Sequence, residues 1–188
     1  FAALDLLGPA HAFRTEALVA GEVSNGVLAG DLVLKGGGDP KLTYERLWQL
    51  VRQLRARGLR EIRGDVVLDR SYFAPAAHDP GKFDGESRRA YNVGPDALLV
   101  NFKAVDFRFV PSGTGVRVLG EPDFPNVEIA SRVKAVAGPC NNWRRGLQYE
   151  IEENGLLATV VFSGTYPAEC GEKTWPLSVF DADRYTES

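Results

Sequence analysis

A serine and a lysine three positions apart, Ser131 and Lys134, are the residues of this sequence best placed for covalent chemistry. On a helix, this spacing brings a hydroxyl and an ammonium group to one face, as acyl-transfer sites of the Ser-x-x-Lys type require. The alternation of residues from Val127 to Ala137 predicts a strand instead, where an odd separation places two side chains on opposite faces. We therefore expect no catalytic role for this pair, with a hydrolase dyad as the alternative.

A second segment, Lys35-Gly36-Gly37, has the outline of the Lys-Thr/Ser-Gly triad that lines the oxyanion side of such sites. It lacks the central hydroxyl residue, so it is better interpreted as a glycine-rich turn. The sequence contains no Ser-x-Asn and neither of the common glycine-rich phosphate-binding patterns. A complete set of catalytic residues is therefore not visible.

Metal chemistry has little support in the sequence. The only histidines are His11 and His78, and the spacing of possible ligands shows no cluster of the three or four that a metal site needs. We interpret both histidines as surface or loop residues. The sequence therefore predicts neither a metal nor a cofactor.

An acidic pair, Asp84 and Glu86, lies just before two arginines and Tyr91 in a long stretch rich in Pro, Gly, Asp and Arg. An exposed loop of this kind can offer a carboxylate and an aromatic face to a charged ligand. A solvated loop without a ligand is the alternative. Irregular segments as long as residues 71–96 are uncommon unless they line a site or connect domains.

Composition and charge narrow the class of protein. With 44% hydrophobic and 25% charged residues, the chain has the composition of a folded globular protein. Its 22 basic and 25 acidic residues are mixed along the chain, so no concentrated basic surface for nucleic acid is expected. The longest apolar stretches are far shorter than the roughly 20 residues that a membrane helix needs. We expect no nucleic-acid partner and no membrane span.

The two cysteines, Cys140 and Cys170, leave two possibilities open. A bridge between them would enclose a loop of about thirty residues and stabilise the fold by roughly 3 to 4 kcal/mol. Alternatively, they are two unrelated buried thiols. Neither has the C-x-x-C partner that is typical of metal sites.

The first hundred residues predict a mixture of strands and one helix. Residues 13–20 and 27–34 are predicted strands on either side of a Ser-Asn-Gly turn signal. A helix is expected from Thr43, its N-cap, to Gly58, with one apolar face packed on a sheet. Ile62–Leu68 is the next predicted strand, which completes a β-α-β order.

After Val100 the pattern becomes almost entirely β. Predicted strands cover Phe102–Val110, Val116–Leu119, Val127–Ala137, Leu147–Phe162 with a hairpin turn at Asn154-Gly155, and Thr174–Phe180. The fold class expected is an α/β (α+β) mixed-sheet domain with a second, β-rich domain inserted in it. Trp48, Trp143 and Trp175 are single tryptophans that we expect to pack in cores or at domain junctions.

Three segments, in order along the chain, carry a resemblance to a known family: Leu32–Pro40 (LVLKGGGDP), Gly64–Ser71 (GDVVLDRS) and Tyr91–Leu98 (YNVGPDAL). Together they resemble the class C low-molecular-mass penicillin-binding proteins, which are periplasmic D-Ala-D-Ala carboxypeptidases and endopeptidases. In that family a transpeptidase domain carries Ser-x-x-Lys, Ser-x-Asn and Lys-Thr-Gly. Two nested domains lie between the first and second motifs.

The resemblance implies a division of this chain. Residues 1–8 would be the tail of the helix that begins with the nucleophile, 9–100 and 167–188 the first insert domain, and 101–166 the second. The catalytic motifs would lie outside the chain, so the fragment alone is expected to be inactive. The whole protein would be a periplasmic serine carboxypeptidase.

The resemblance also implies a substrate contact. In relatives, an acidic residue a few positions before an aromatic one receives the amino group of the stem-peptide side chain. Glu86 and Tyr91 have the matching placement, although Asp is expected where Glu86 stands. The implied partners are peptidoglycan stem peptides and β-lactams. The alternative function is a non-catalytic module that binds peptidoglycan or a partner protein.

Overall fold

A computed structural model describes residues 1–74, 77–155 and 157–180. The structure divides into two compact units. The first comprises Phe1–His78 and Gly94–Phe102, and the second comprises Asp79–Val93 and the residues from Lys103 onward. The helices and strands of the first unit are α1 (Ala2–Leu7), β1 (Thr15–Ser24), β2 (Val27–Gly36), α2 (Tyr44–Ala56), β3 (Glu61–Ile62) and β4 (Val66–Asp69).

Strands β1 and β2 form the hairpin that the turn signal predicts. They pair antiparallel along their whole length, from Ser24 opposite Val27 to Thr15 opposite Gly36. Asn25 and Gly26 have φ angles of 52° and 83°, as a two-residue hairpin turn of the primed type requires. Strands β3 and β4 both pair parallel to β2, so the predicted β-α-β order is confirmed.

The helix of this unit packs less tightly than its pattern predicts. Helix α2 follows Thr43, as expected, but none of its residues is fully buried. Leu47, Leu50 and Leu54 are half-buried, whereas Trp48 is 59% exposed. The prediction for Trp48 as a core or junction residue is therefore wrong within the described residues, because it lies on the outer face of the helix.

The second unit contains a six-stranded sheet. Its strands are β5 (Ala104–Ser112), β6 (Gly115–Glu121), β7 (Val127–Val136), β8 (Leu147–Asn154), β9 (Leu157–Pro167) and β10 (Lys173–Ser178). The spatial order is β10-β5-β6-β7-β9-β8, with β7 and β9 parallel and the other pairs antiparallel. The mixed sheet of the first unit and the β-rich sheet of the second confirm the predicted fold class.

An aromatic core fills one face of this sheet. Phe107, Phe109, Phe162 and Tyr166 are fully buried because alternate residues of β5 and β9 point to the same side. The ring of Phe109 lies 5.0 Å from Phe162 and 5.9 Å from Tyr166. Such contacts add to the large apolar area that aromatic side chains remove from water.

A disulfide joins Cys140 to Cys170 and closes a loop with a sequence separation of 30. Cys140 precedes a short 3-10 helix at Trp143–Gly146, and Cys170 ends another just before β10. The bond therefore holds the approach to β8 next to the approach to β10.

The boundary of the units differs from the division that the resemblance implies. Strand β10 lies in the segment that the resemblance assigns to the first insert domain, and it pairs with β5 from Lys173 opposite Phe109 to Ser178 opposite Ala104. Residues Asp79–Val93 also belong to the second unit. The reason is strand pairing, since the sheet of the second unit takes β10 as its edge. The roles of 1–8, 9–100 with 167–188, and 101–166 as domains of a longer protein stay a prediction.

Candidate functional site

The acidic loop is organised around the carboxylate of Asp84. Its Oδ2 accepts hydrogen bonds from the Tyr91 hydroxyl at 2.7 Å and from the Arg89 guanidinium at 2.9 Å. Its Oδ1 accepts from the Asn92 side-chain amide at 2.7 Å and from the backbone N–H of Glu86 at 2.9 Å. Both carboxylate oxygens of Asp84 are therefore occupied by donors of the same loop.

These donors favour the charged form of Asp84. The hydrogen bond from Tyr91 is the largest cause of a lowered Asp84 pKa, and the amide of Asn92 and the charge of Arg89 act in the same direction. The side chain of Asp84 keeps only 19% of its exposure. Asp84 is thus a fixed anion that shapes the loop.

Glu86 has a different environment although it lies only two residues away. Its side chain is 49% exposed, and its carboxylate lies 3.6 Å from Nη2 of Arg89. Its backbone carbonyl accepts a hydrogen bond from the side chain of Asn92, which is buried. The backbone of Glu86 is therefore fixed while its carboxylate faces solvent.

Tyr91, the second predicted substrate residue, is 64% exposed. Its hydroxyl lies between Arg89 and Asp84, and the Arg89 guanidinium lies 5.7 Å from the centre of its ring. The structure thus brings Tyr91 and Glu86 to the same loop, with Arg89 in contact with both.

Arg88 attaches this loop to the edge of the sheet. Its guanidinium donates to the carbonyl of Val179 at 2.7 Å and to the Glu153 carboxylate at 2.9 Å. Its own carbonyl accepts from the backbone N–H of Ser178 at 2.8 Å. The loop that carries Glu86 is therefore bound to strand β10 and the residues that follow it.

Two roles in this loop were not apparent from the sequence. Asp84 was noted only as one half of an acidic pair, and Asn92 only as part of a motif. The Asp84-Gly85 dipeptide, a common turn signal, was the cue for a carboxylate that accepts from its own loop.

A cavity of 440 Å³ lies beside Glu86 in the second unit. Its wall includes Glu86, Arg89, Arg144, Arg145, Tyr149 and Trp175. Burial raises the pKa of the Tyr149 hydroxyl, and the carboxylate of Glu86 raises it further, so this phenol stays protonated. None of Arg144, Arg145 and Tyr149 was singled out by sequence reasoning, because they are far from the acidic loop along the chain.

The Ser131 and Lys134 pair lies within strand β7, as the alternation predicts. The hydroxyl of Ser131 donates to the carbonyl oxygen of Val116 at 2.5 Å. Three residues along a strand place Lys134 on the opposite face of the sheet. The strand thus lacks the helical geometry that a Ser-x-x-Lys nucleophile requires.

The glycine-rich segment after β2 serves close packing. A Cβ atom at Gly36 would lie 2.1 Å from the carbonyl oxygen of Ala97, and Gly38 donates its N–H to the same oxygen at 2.8 Å. A smaller cavity of 270 Å³ adjoins Gly36 and Gly37 and is lined also by His11, Lys35 and Tyr72.

Within the ranges that the structure describes, no three His, Cys, Asp or Glu side chains come close enough together to hold a metal ion. No helix in this described part has the length and apolar character needed to cross a bilayer.

The chain matches the D-Ala-D-Ala carboxypeptidase 3 (S13) family across residues 1–188, and it therefore belongs to that family. This confirms the resemblance to the class C low-molecular-mass penicillin-binding proteins.

Individual relatives agree with this assignment. The chain is 42% identical over 69 residues to the D-alanyl-D-alanine carboxypeptidase DacB of Haemophilus influenzae, a match that covers 37% of the chain and 14% of the relative. It is 38% identical over 99 residues to a D-alanyl-D-alanine carboxypeptidase of Actinomadura sp. strain R39, covering 53% of the chain and 18% of the relative. The matched segments are thus a small share of either relative.

The fold is also similar to solved structures. The crystal structure of penicillin binding protein 4 (dacB) from H. influenzae matches with a TM-score of 0.72 at 24% identity, covering 99% of this chain and 41% of that one. The crystal structure of the same protein complexed with a novel β-lactam matches with a TM-score of 0.62 at 22% identity. This match covers 99% of this chain and 38% of that one. The chain therefore spans less than half the length of these structures.

Proposed function

We propose that this chain is the nested, non-catalytic part of a longer periplasmic serine D-Ala-D-Ala carboxypeptidase or endopeptidase. The observation that carries the proposal is the family match over all 188 residues. The 188 residues lack Ser-x-Asn and Lys-Thr-Gly, and their one Ser-x-x-Lys lies in strand β7. The chain alone is accordingly inactive and is not acylated by penicillins.

In the whole enzyme, a serine outside this chain attacks the carbonyl of the penultimate D-Ala of a peptidoglycan stem peptide. The peptide bond breaks, the terminal D-Ala leaves with a proton on its amine, and an acyl-enzyme ester remains. Water then hydrolyses the ester, which restores the serine and releases the shortened peptide. Covalent catalysis of this kind depends on hydrogen-bond donors that stabilise the oxyanion. A β-lactam forms the same type of ester when its ring opens.

Glu86 and Tyr91 are the proposed contacts for the amino group of the stem-peptide side chain. Glu86 suits an incoming amine better than Asp84, because both oxygens of Asp84 already accept hydrogen bonds. The carboxylate of Glu86 is half exposed, and its ion pair with Arg89 is longer, at 3.6 Å, than the 2.9 Å ion pair of Asp84 with the same arginine. Tyr91 offers an exposed aromatic face nearby.

The test is release of D-Ala by the longer protein from two peptides ending in D-Ala-D-Ala. One peptide has a free side-chain amine, and in the other this amine is acetylated. Glu86→Gln should lower kcat/KM for the free amine roughly tenfold, as expected for the loss of a charge-assisted hydrogen bond, and leave the acetylated peptide unchanged.

The matched control is Glu172→Gln, which removes another half-exposed carboxylate that pairs with an arginine, Arg108. It should not change turnover of either peptide. Equal turnover of the free-amine peptide by wild type and Glu86→Gln would remove Glu86 from the substrate site. If the longer protein is active and Glu86→Gln turns over the free-amine peptide as fast as wild type does, the result rejects this contact and does not affect the carboxypeptidase assignment.

A further inference from the structure

The cavity beside Glu86 has an excess of positive charge on a chain whose net charge is −3. Its lining includes the guanidinium groups of Arg89, Arg144 and Arg145 and one carboxylate, that of Glu86. Arg89 is engaged by Asp84 and Glu86. Among the described residues, no carboxylate lies within the 4.0 Å of an ion pair from Arg144 or Arg145. Within residues 1–74, 77–155 and 157–180, two guanidinium groups at one wall of the cavity thus have no carboxylate partner.

We propose that this cavity is a binding site for an acidic peptide, with a carboxylate of the peptide on Arg144 and Arg145. Guanidinium groups bind carboxylates through paired N–H donors, and such charge-assisted bonds are stronger than neutral ones. The site adjoins the proposed amine contact, because Glu86 also lines the cavity, but binding of the acidic peptide does not depend on carboxypeptidase activity.

Arg144 is held in place by aromatic rings. Its guanidinium lies 5.1 Å from the centre of the Trp143 ring and 5.3 Å from that of Trp175. The two indole rings are 6.2 Å apart at an angle of 85°. A cation held over ring faces is partly positioned before a ligand arrives, while N–H groups at its edge remain able to donate.

The backbone below these arginines is also fixed. The turn Trp143–Gly146 begins after Asn142, whose φ is 52°, and the disulfide at Cys140 ties its approach to Cys170. A Cβ atom at Gly146 would lie 2.7 Å from the carbonyl oxygen of Thr165, so this turn packs directly against β9. The two cationic side chains therefore stand on a rigid turn, which lowers the ordering cost of binding.

The remaining wall favours a peptide over a bare inorganic anion. Trp175 and Tyr149 contribute aromatic surface, with ring centres 5.4 Å apart, and Leu147 and Leu177 add apolar surface. A cavity of 440 Å³ falls in the range for small organic ligands, roughly 300–1,000 Å³. Aromatic and apolar walls with a few charged groups suit an acidic side chain with the carbons next to it. The protonated Tyr149 hydroxyl adds a donor rather than a negative charge.

The test measures binding of acetyl-Glu-Glu-Glu-amide to the 188-residue chain by isothermal titration calorimetry at low salt. Saturable one-site binding is expected for this peptide, and none for the matched Gln peptide. Arg144→Gln with Arg145→Gln should weaken binding at least tenfold. The matched control is Arg117→Gln with Arg132→Gln, which removes two exposed arginines from β6 and β7 of the same sheet. It should change the Kd less than twofold.

Three results would overturn the proposal. The first is the absence of saturable binding by a chain whose circular dichroism is native. The second is an equal loss of affinity on substitution of either arginine pair. The third is displacement of the peptide by inorganic phosphate at equal concentration. The last two outcomes would indicate non-specific charge attraction and a simple anion site, respectively.

Glu86→Gln separates this proposal from the proposed function, because the two predict opposite effects. Glu86 supplies the only carboxylate that the described residues contribute to the cavity wall, and its removal should tighten acidic-peptide binding about two- to fivefold, since like charges destabilise each other at short range. The same substitution should impair turnover of the amine-bearing substrate in the longer protein. Weaker acidic-peptide binding by Glu86→Gln would count against the cavity site alone.

Discussion

Removal of the disulfide should destabilise the second unit substantially. The perturbation is Cys140→Ala together with Cys170→Ala, which leaves no free thiol because the sequence has two cysteines. The closed loop has a sequence separation of 30, and the Cα atoms of the two cysteines are 4.9 Å apart. Loop-closure entropy for a loop of this length corresponds to about 3.5 kcal/mol. The free energy of unfolding should therefore fall by about 3.5 kcal/mol.

The assay is unfolding in urea, with tryptophan fluorescence as the signal. Trp143 and Trp175 are half-buried in the second unit, with ring centres 5.7 Å and 6.4 Å from that of Phe109, whereas Trp48 lies on α2 of the first unit. A Trp48→Phe background therefore restricts the signal to the unit that contains the disulfide. With an m-value of about 1.5 kcal/mol/M, the midpoint should fall by roughly 2 M urea.

Reduction provides the internal control. Dithiothreitol should lower the midpoint of the wild-type chain towards that of the double-alanine variant, and it should leave the variant unchanged. A loss below about 1 kcal/mol would refute the loop-entropy reasoning, because that cost is set by loop length. If dithiothreitol also lowers the midpoint of the double-alanine variant, the reductant acts on something other than this disulfide.

Three further predictions concern packing and charge. Phe109→Ala should cost about 3–5 kcal/mol in urea unfolding because a fully buried ring leaves a cavity, whereas Phe83→Ala, at an 84% exposed position, should cost less than about 0.5 kcal/mol. Gly36→Ala should cost about 1–3 kcal/mol or prevent folding, since its Cβ would lie 2.1 Å from the carbonyl oxygen of Ala97; an unchanged urea midpoint would contradict this packing. Asp84→Asn should lower stability at pH 7 but not in acid, because the hydrogen bond from Tyr91 holds the folded-state pKa of Asp84 below its usual value. The contribution of this carboxylate is therefore present above the usual pKa and is lost as pH falls through the folded pKa. Urea midpoints of wild type and Asp84→Asn should therefore converge at low pH, and a constant gap would exclude this carboxyl as the cause.

Local patterns predicted much of the fold. The hairpin β1–β2 was predictable because its turn residues Asn25 and Gly26 demand positive φ angles, and alternation marked both flanking strands. Strand β7 was predictable for the same reason, and its period of two correctly argued against a helix that carries Ser131. In both cases the signal lies within a few neighbouring residues.

Sheet membership could not be predicted in the same way. The sequence predicts a strand at Thr174–Phe180. Its partner in the sheet is β5, which lies more than sixty residues earlier in the chain and contains Phe107 and Phe109. Which edge a short strand joins depends on the packing of the whole sheet. The burial of Leu177 was for that reason not readable from its neighbours.

The site was predictable only in part. Glu86 and Tyr91 were named from a resemblance, and their role as substrate contacts stays a prediction. The distinction between Asp84 and Glu86 requires knowledge of which donors face each carboxylate, which alternation and composition do not contain. Arg144 and Arg145 reach the same cavity from a turn some sixty residues away, fixed by the disulfide and by two tryptophans.

Our central proposal is that the chain is part of a penicillin-acylated peptidase whose nucleophile lies outside these 188 residues. Covalent labelling by a fluorescent penicillin tests it most directly, with this chain compared to a version extended at both ends with its natural flanking sequence. Only the extended protein should be labelled, and Ser131→Ala should leave its labelling unchanged. Labelling of the 188-residue chain, lost on Ser131→Ala, would place the nucleophile in strand β7 and contradict the claim.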